Sequence, residues 1–191
     1  MAGSDPPVDP PLGPGARSGG VFPGDGSGEE IAIREASDAA DYARGRDLIK
    51  EYAVALGFSL CFQNFAAEIA DLPAVYGPPR GCLLIAHLGG EPVGCVAVRD
   101  RGEGACEMKR LYVKPRCRGL GLGRRLAEAA IAAGRGLGYE RMVLDTLSSM
   151  TEALSLYRSL GFREVQSYYP NPLEGVHYLG REIGEDENCG A

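Results

Sequence analysis

The chain has 191 residues, 45% hydrophobic and 24% charged, with a formal net charge of −6. That length suits one domain able to bury a substantial core. No run approaches the roughly 20 apolar residues needed to span a bilayer, and the acidic balance argues against non-specific binding of nucleic acid.

Residues 1–30 hold 14 glycines and prolines and few large apolar side chains. Such a segment cannot bury enough surface to offset the entropy of ordering it, so it reads as a disordered tail. The start Met1-Ala2-Gly3-Ser4-Asp5 lacks the basic and apolar regions of a secretory signal. Reduced thiols and a cytoplasmic location are therefore expected. The folded domain is expected over 31–183, and 184–191 reads as an acidic, frayed end.

"IAIREA", from Ile31, alternates apolar and polar residues as a half-buried strand does. Asp38 can cap a helix over 39–56, with Leu48, Tyr52, Ala55 and Leu56 at helical spacing and Gly57 ending it. A second short helix is expected over 65–71, stopped by Pro73. "GCLLIAHL", "PVGCVAV" and "ACEMKRLYV" read as three strands of a meander, joined by turns at Gly89-Gly90 and over 99–104. A helix over 121–137 places Leu122, Leu126, Ala130 and Ala133 on one face. "RMVLDTL" is a short apolar strand, buried on both faces. Ser149 and Glu152 suggest a capping box for the next helix, which Gly161 closes. "FREVQSYY" and "VHYLGREI" read as a closing antiparallel pair. The order β-α-α-β-β-β-α-β-α-β-β implies an α/β (α+β) fold. Its sheet would be mostly antiparallel, with one parallel step across the helix at 121–137.

The six cysteines form no C-x-x-C pair and there are only two histidines, so no metal site is expected. The segment that carries chemistry is Arg118-Gly119-Leu120-Gly121-Leu122-Gly123-Arg124. It follows a strand and opens a helix, where free N–H groups and the helix dipole favour an anion. Closely spaced glycines let the backbone approach a ligand. Lys109, Arg110, Lys114, Arg116, Arg118, Arg124 and Arg125 are expected around it, and no acidic residue lies between 108 and 127. A polyphosphate ligand is the reading. A Walker A loop is absent, and a Rossmann fingerprint would need a glycine at 124 and a parallel βαβ sheet.

"EMKRLYVKPRCRGLGLGRRL", followed by "TEALSLYRSLGF", resembles the GNAT superfamily of acyl-CoA-dependent N-acyltransferases over about 31–183. "LIKEYAVALG" and "PPRG" resemble its bacterial branch. The Asn commonly found early in the penultimate helix is replaced here by Met150. The resemblance implies a mixed sheet whose central parallel pair splays apart, flanked by helices. It implies acetyl-CoA as co-substrate, with its pantetheine arm against Leu111, Tyr112 and Val113. The pyrophosphate would sit on Arg118, Gly119, Leu120, Gly121, Leu122, Gly123 and Arg124. By the same resemblance the Val113 N–H points at the thioester carbonyl, and Tyr157 is the acid that protonates the departing thiolate.

Attack by an amine requires that it first lose a proton, since an alkylammonium of pKa about 10 has no lone pair. Glu107, near the splay, is the candidate base, through a water; the bland reading is a cross-strand ion pair. Alternation would place Glu107, Lys109 and Leu111 on one face, with Met108 and Arg110 on the other. His87 and His177 read as structural. Tyr168, Tyr169 and "PNPLEG" fall, by the resemblance, near the acceptor side.

The expected activity is N-acetyl transfer from acetyl-CoA to a primary amine by direct attack in a ternary complex. The alternative is a non-catalytic acyl-CoA sensor on the same fold; a nucleic-acid-binding role is weaker. The expected partner is a small-molecule or peptide amine acceptor, with no nucleic acid and no membrane. Oligomeric state is open, a homodimer included.

Overall fold

The computed structural model describes residues 21–22, 30–57 and 64–184. Eight strands form one sheet: β1 (Val21–Phe22), β2 (Ile31–Glu35), β3 (Cys82–Leu88), β4 (Glu91–Gly102), β5 (Ala105–Val113), β6 (Arg141–Leu147), β7 (Arg163–Glu164) and β8 (Val176–Glu182). Their spatial order is β1-β2-β3-β4-β5-β6-β8-β7. Every neighbouring pair is antiparallel except β5 and β6. The strand at 21–22 adds an edge to β2 from within the segment read as a tail; the other residues before Glu30 lie outside the described residues.

Five helices flank the sheet: α1 (Ala39–Leu56), α2 (Phe65–Ala70), α3 (Leu72–Tyr76), α4 (Leu122–Gly136) and α5 (Thr151–Ser159). Asp38 caps α1 by accepting from the Asp41 N–H, and Gly57 ends it in the left-handed conformation. Leu48 and Ile49 of α1 and Leu72 and Tyr76 of α3 build one core with Leu83, Ile85, Cys95 and Ala97. On the other face Leu122, Leu126 and Ala130 of α4 and Leu154 and Tyr157 of α5 pack on Val96, Val98, Met108 and Leu144. The sheet thus separates two apolar layers, α1–α3 on one side and α4–α5 on the other.

Several local expectations are corrected. Pro73 does not end the helical region; it sits in the first turn of α3, where its missing N–H costs nothing. β4 continues to Gly102, so the turn expected over 99–104 is confined to Glu103-Gly104, both at positive φ. Ser149 does not cap α5. The helix begins one residue later, at an N-cap Met150 with no side-chain cap bond. "FREVQSYY" pairs with β8 at Arg163–Glu164, and the Val165 N–H adds one bond to the Tyr178 carbonyl at 2.9 Å before the chain leaves the sheet.

Candidate active site

β5 and β6 pair only from Ala105↔Arg141 to Glu107↔Val143. Beyond Glu107 the two strands separate, and among the described residues no strand covers that edge of β5. One feature of β5 sets the site. Cys95 faces Tyr112 and Ala97 faces Lys109, so Arg110 and Leu111 together oppose the single Val96. This is a β-bulge, and Arg110 takes it up at φ +59, a left-handed conformation uncommon for a side chain of its size.

The bulge overturns the expected alternation. Cys106 and Met108 pack with the α4–α5 layer, and Leu111 and Val113, now odd-numbered, pack there too. Tyr112 packs with the α1–α3 layer. Arg110 crosses to that same layer. Its guanidinium gives Nε and Nη2 to the two Glu68 oxygens at 2.8 and 2.5 Å and lies 5.3 Å from the Phe65 ring centroid. Leu111 therefore does not share a face with Glu107 and Lys109.

Two cavities meet at the splay. A cleft of about 630 Å³ runs along Leu111 and Val113, over Arg118, Gly119, Gly121 and Gly123, to Thr151 and Leu156 of α5. A smaller cavity of about 90 Å³ is lined by Met108, Ala153 and Tyr157 from one face of the sheet and by Tyr52, Leu56 and Arg110 from the other. Leu111, Met150 and Ala153 line both. The gap between β5 and β6 is thus a passage joining the two sides of the molecule.

The glycine loop suits an anion at the mouth of the cleft. Gly119 and Gly121 hold φ of +84 and +72, and a Cβ on either would meet nothing within 4 Å. The backbone there is open to a ligand. Gly121 is the N-cap of α4 with no side-chain cap, and the Arg125 N–H is the donor that reaches its carbonyl. The preceding helical amides lack intrahelical partners. Of the residues expected to hold the cofactor, Leu111, Val113, Arg118, Gly119, Gly121, Leu122 and Gly123 line the cleft. Tyr112 turns to the opposite face, and Leu120 packs against the core. Arg124 reaches Ser159 Oγ at 2.6 Å and Glu128 at 3.4 Å.

The basic cluster is less concentrated than its sequence suggests. Arg110 and Lys109 are buried in ion pairs away from the loop, and Lys114 reaches Glu51 at 3.3 Å.

Glu107 is fully buried. Arg99 donates to its Oε2 through Nε at 2.8 Å, Tyr168 donates to Oε1 at 3.1 Å, and Lys109 Nζ lies 3.5 Å from Oε1. The cross-strand ion pair is therefore present, and Glu107 lines neither cavity. The carboxylate that lines the small cavity is Asp145, 3.2 Å from Lys109 Nζ and accepting from the Tyr169 hydroxyl at 2.8 Å. Lys109 thus links Glu107 to Asp145. Sequence reasoning passed over Asp145, although it is the one acidic residue in "RMVLDTL".

Tyr157 lines the small cavity, edge-on to Phe162 at 5.9 Å. Its hydroxyl makes no hydrogen bond to another described residue. Burial, foremost, holds the phenol well above its usual range, with Tyr52 and Asp145 adding to the shift. Met150, in place of the family's Asn, receives the Thr146 hydroxyl on sulfur at 3.7 Å. His177 is held between Ser148 Oγ at 3.2 Å and Glu164 at 2.9 Å and lines neither cavity. His87 sits at the far end of β3, its pKa lowered by burial and by Arg34.

Comparison with known proteins agrees with this geometry. The model of the acetyltransferase (GNAT) family matches residues 42–162. An uncharacterised N-acetyltransferase of Schizosaccharomyces pombe is 42% identical over 156 residues, 81% of this chain and 94% of that one. An N-acetylaspartate synthetase of Danio rerio is 36% identical over 111 residues, 57% of this chain and 39% of that one. Among solved structures, an acetyltransferase from Streptococcus agalactiae superposes with a TM-score of 0.66 at 22% identity, covering 80% of this chain and 98% of that one. A putative acetyltransferase from Salmonella typhimurium, solved with acetyl-CoA, gives 0.59 at 20% identity, covering 82% and 96%. The chain belongs to the GNAT family of acetyltransferases.

Proposed function

We propose that the protein transfers an acetyl group from acetyl-CoA to a primary amine by direct attack in a ternary complex. The observation that carries this reading is the passage through the sheet. A cleft headed by an anion-suited glycine loop meets a small cavity at the gap between β5 and β6, and Tyr157 lines that cavity.

The thioester supplies the activated acyl group. The amides of 119–124 receive the diphosphate, and the uncovered edge of β5 offers main-chain groups to the pantetheine amides. Main-chain N–H groups on that edge, Val113 among them, also polarise the thioester carbonyl. The linked carboxylates take one proton from the acceptor's ammonium: Asp145 faces the cavity, and Glu107 stands behind Lys109. The nitrogen lone pair forms the C–N bond as the C–S bond breaks. Tyr157, a phenol protonated at neutral pH and held further from ionisation by burial, gives its proton to the departing thiolate. The nitrogen's second proton restores the phenol. Ammonium and thioester thus yield amide, thiol and one released proton. The four described cysteines are buried thiols, which suits the reducing cytoplasm in which we place the protein.

Two measurements test the reading. Titration calorimetry of coenzyme A into the protein should give saturable heat. A thiol-release assay with acetyl-CoA and a panel of amines should show amine-dependent turnover. Binding without turnover on any amine would instead favour a sensor.

A further inference from the structure

We propose that the acceptor subsite is built around the Tyr52 hydroxyl and takes a primary amine carried on a short apolar arm; this rests on the acetyl-transfer reading above. Tyr52 projects from α1, on the side of the sheet opposite Tyr157, and lines the same small cavity. Its ring is braced 6.1 Å from that of Tyr112. Yet its hydroxyl makes no hydrogen bond to another described residue. A half-buried phenol that lines a cavity and has no partner among the described residues is a polar group placed for a ligand. Burial pushes it up to about 12, with Asp145 raising it further and Arg110 opposing, so it is protonated in the working range. Its oxygen can then accept an N–H from the acceptor and turn the nitrogen lone pair toward the thioester.

The rest of the cavity defines the arm. Leu56 lies one turn after Tyr52 on the same face of α1, and Leu147, Met150 and Leu173 complete an apolar wall. A volume of about 90 Å³ suits a short alkyl arm. The two cations on the wall are already engaged, Arg110 bidentately by Glu68 and Lys109 by Asp145. A carboxylate beside the reacting amine would compete with these buried pairs, and desolvating it there would be costly. The favoured acceptor is therefore a terminal alkylamine and not an α-amino acid.

The test uses the full chain at saturating acetyl-CoA, with thiol release measured on 1-butylamine, cadaverine, alanine and aspartate. The expected result is a kcat/KM for the two alkylamines at least about ten-fold above that for the amino acids. Tyr52→Phe should raise the alkylamine KM by about ten-fold, the loss of one hydrogen bond to a charged partner. Its coenzyme A affinity by calorimetry and its melting temperature should stay unchanged, since the hydroxyl bonds no other described residue. Amino acids ahead of alkylamines, or an unchanged KM in Tyr52→Phe, would overturn the subsite. Coenzyme A binding with no turnover on any amine would overturn the transfer reading and the subsite with it.

Discussion

Glu68→Gln tests whether the pair it forms with Arg110 holds the site together. The two side chains are 4% and 3% exposed, so solvent screening is slight. Replacing the carboxylate leaves a guanidinium buried at the bulge with only a neutral amide and the Phe65 ring. Removing one partner of a buried pair costs about 3–5 kcal/mol, which in a domain of this size lowers the melting temperature by roughly 10 °C. The pair also carries a pH signature. Burial alone would raise the Glu68 pKa, but the Arg110 hydrogen bonds and charge, with the Tyr76 hydroxyl, outweigh it and hold the carboxyl below its usual value of 4.5. A depressed carboxyl contributes stability that is complete above the unfolded-state pKa and is lost as pH falls through the folded one. Urea unfolding from pH 7 to pH 3 should therefore show a steeper acid loss in the wild type than in Glu68→Gln. The double variant Glu68→Leu, Arg110→Met should recover most of the lost stability, because it leaves no unpaired buried charge. A single-variant cost under about 1 kcal/mol, with the same acid slope as wild type, would refute the argument.

Three further outcomes are expected. Tyr157→Phe should lower kcat by about 100-fold or more, the usual scale for losing a general acid, with coenzyme A affinity unchanged. Gly121→Val should weaken coenzyme A binding at least ten-fold by calorimetry and cost about 1–3 kcal/mol of stability, because a β-branched residue does not tolerate φ of +72. Asp145→Asn should change the pH–rate profile more than Glu107→Gln does, since Asp145 faces the cavity while Glu107 faces Arg99, Tyr168 and Lys109. A larger change in Glu107→Gln would move proton removal back to the buried carboxylate.

Elements with strong periodic or capping signals were legible in the sequence. Asp38 and Gly57 each act within a few residues, and the structure follows them; the strand at "IAIREA" forms, but without the alternation read there, since Ile31, Ala32 and Ile33 are all buried and Arg34 and Glu35 both exposed. The glycine loop was legible for the same reason, because its conformational freedom and its place before a helix are local. The small cavity was legible only in part, through "PNPLEG", whose Asn171 and Leu173 line it. Tyr52 and Asp145 are 93 residues apart and on different elements, and no local pattern unites them. The tyrosines at 168 and 169 read as the end of a strand. They leave the sheet because Glu107 and Asp145 accept their hydroxyls, a tertiary demand that outweighs strand propensity.

The error on β5 shows why alternation fails where function begins. A strict period of two places every second side chain on one face, and a single inserted residue reverses the parity of all that follow. Here the insertion falls at Arg110, between the buried ion network before it and the cleft-lining residues after it. Without the bulge, Leu111 and Val113 would face the α1–α3 layer and Arg110 the α4–α5 layer, away from Glu68. Arg110 is held in its unusual conformation by the two Glu68 oxygens, and that anchorage lets Leu111 and Val113 turn toward the cleft. The same displacement sits just past the last β5–β6 pair, at the point where the strands part. One strained residue and one buried carboxylate on α2 therefore determine which side chains line the passage. Loss of Glu68 should accordingly weaken coenzyme A binding at a distance, without any change in the glycine loop itself.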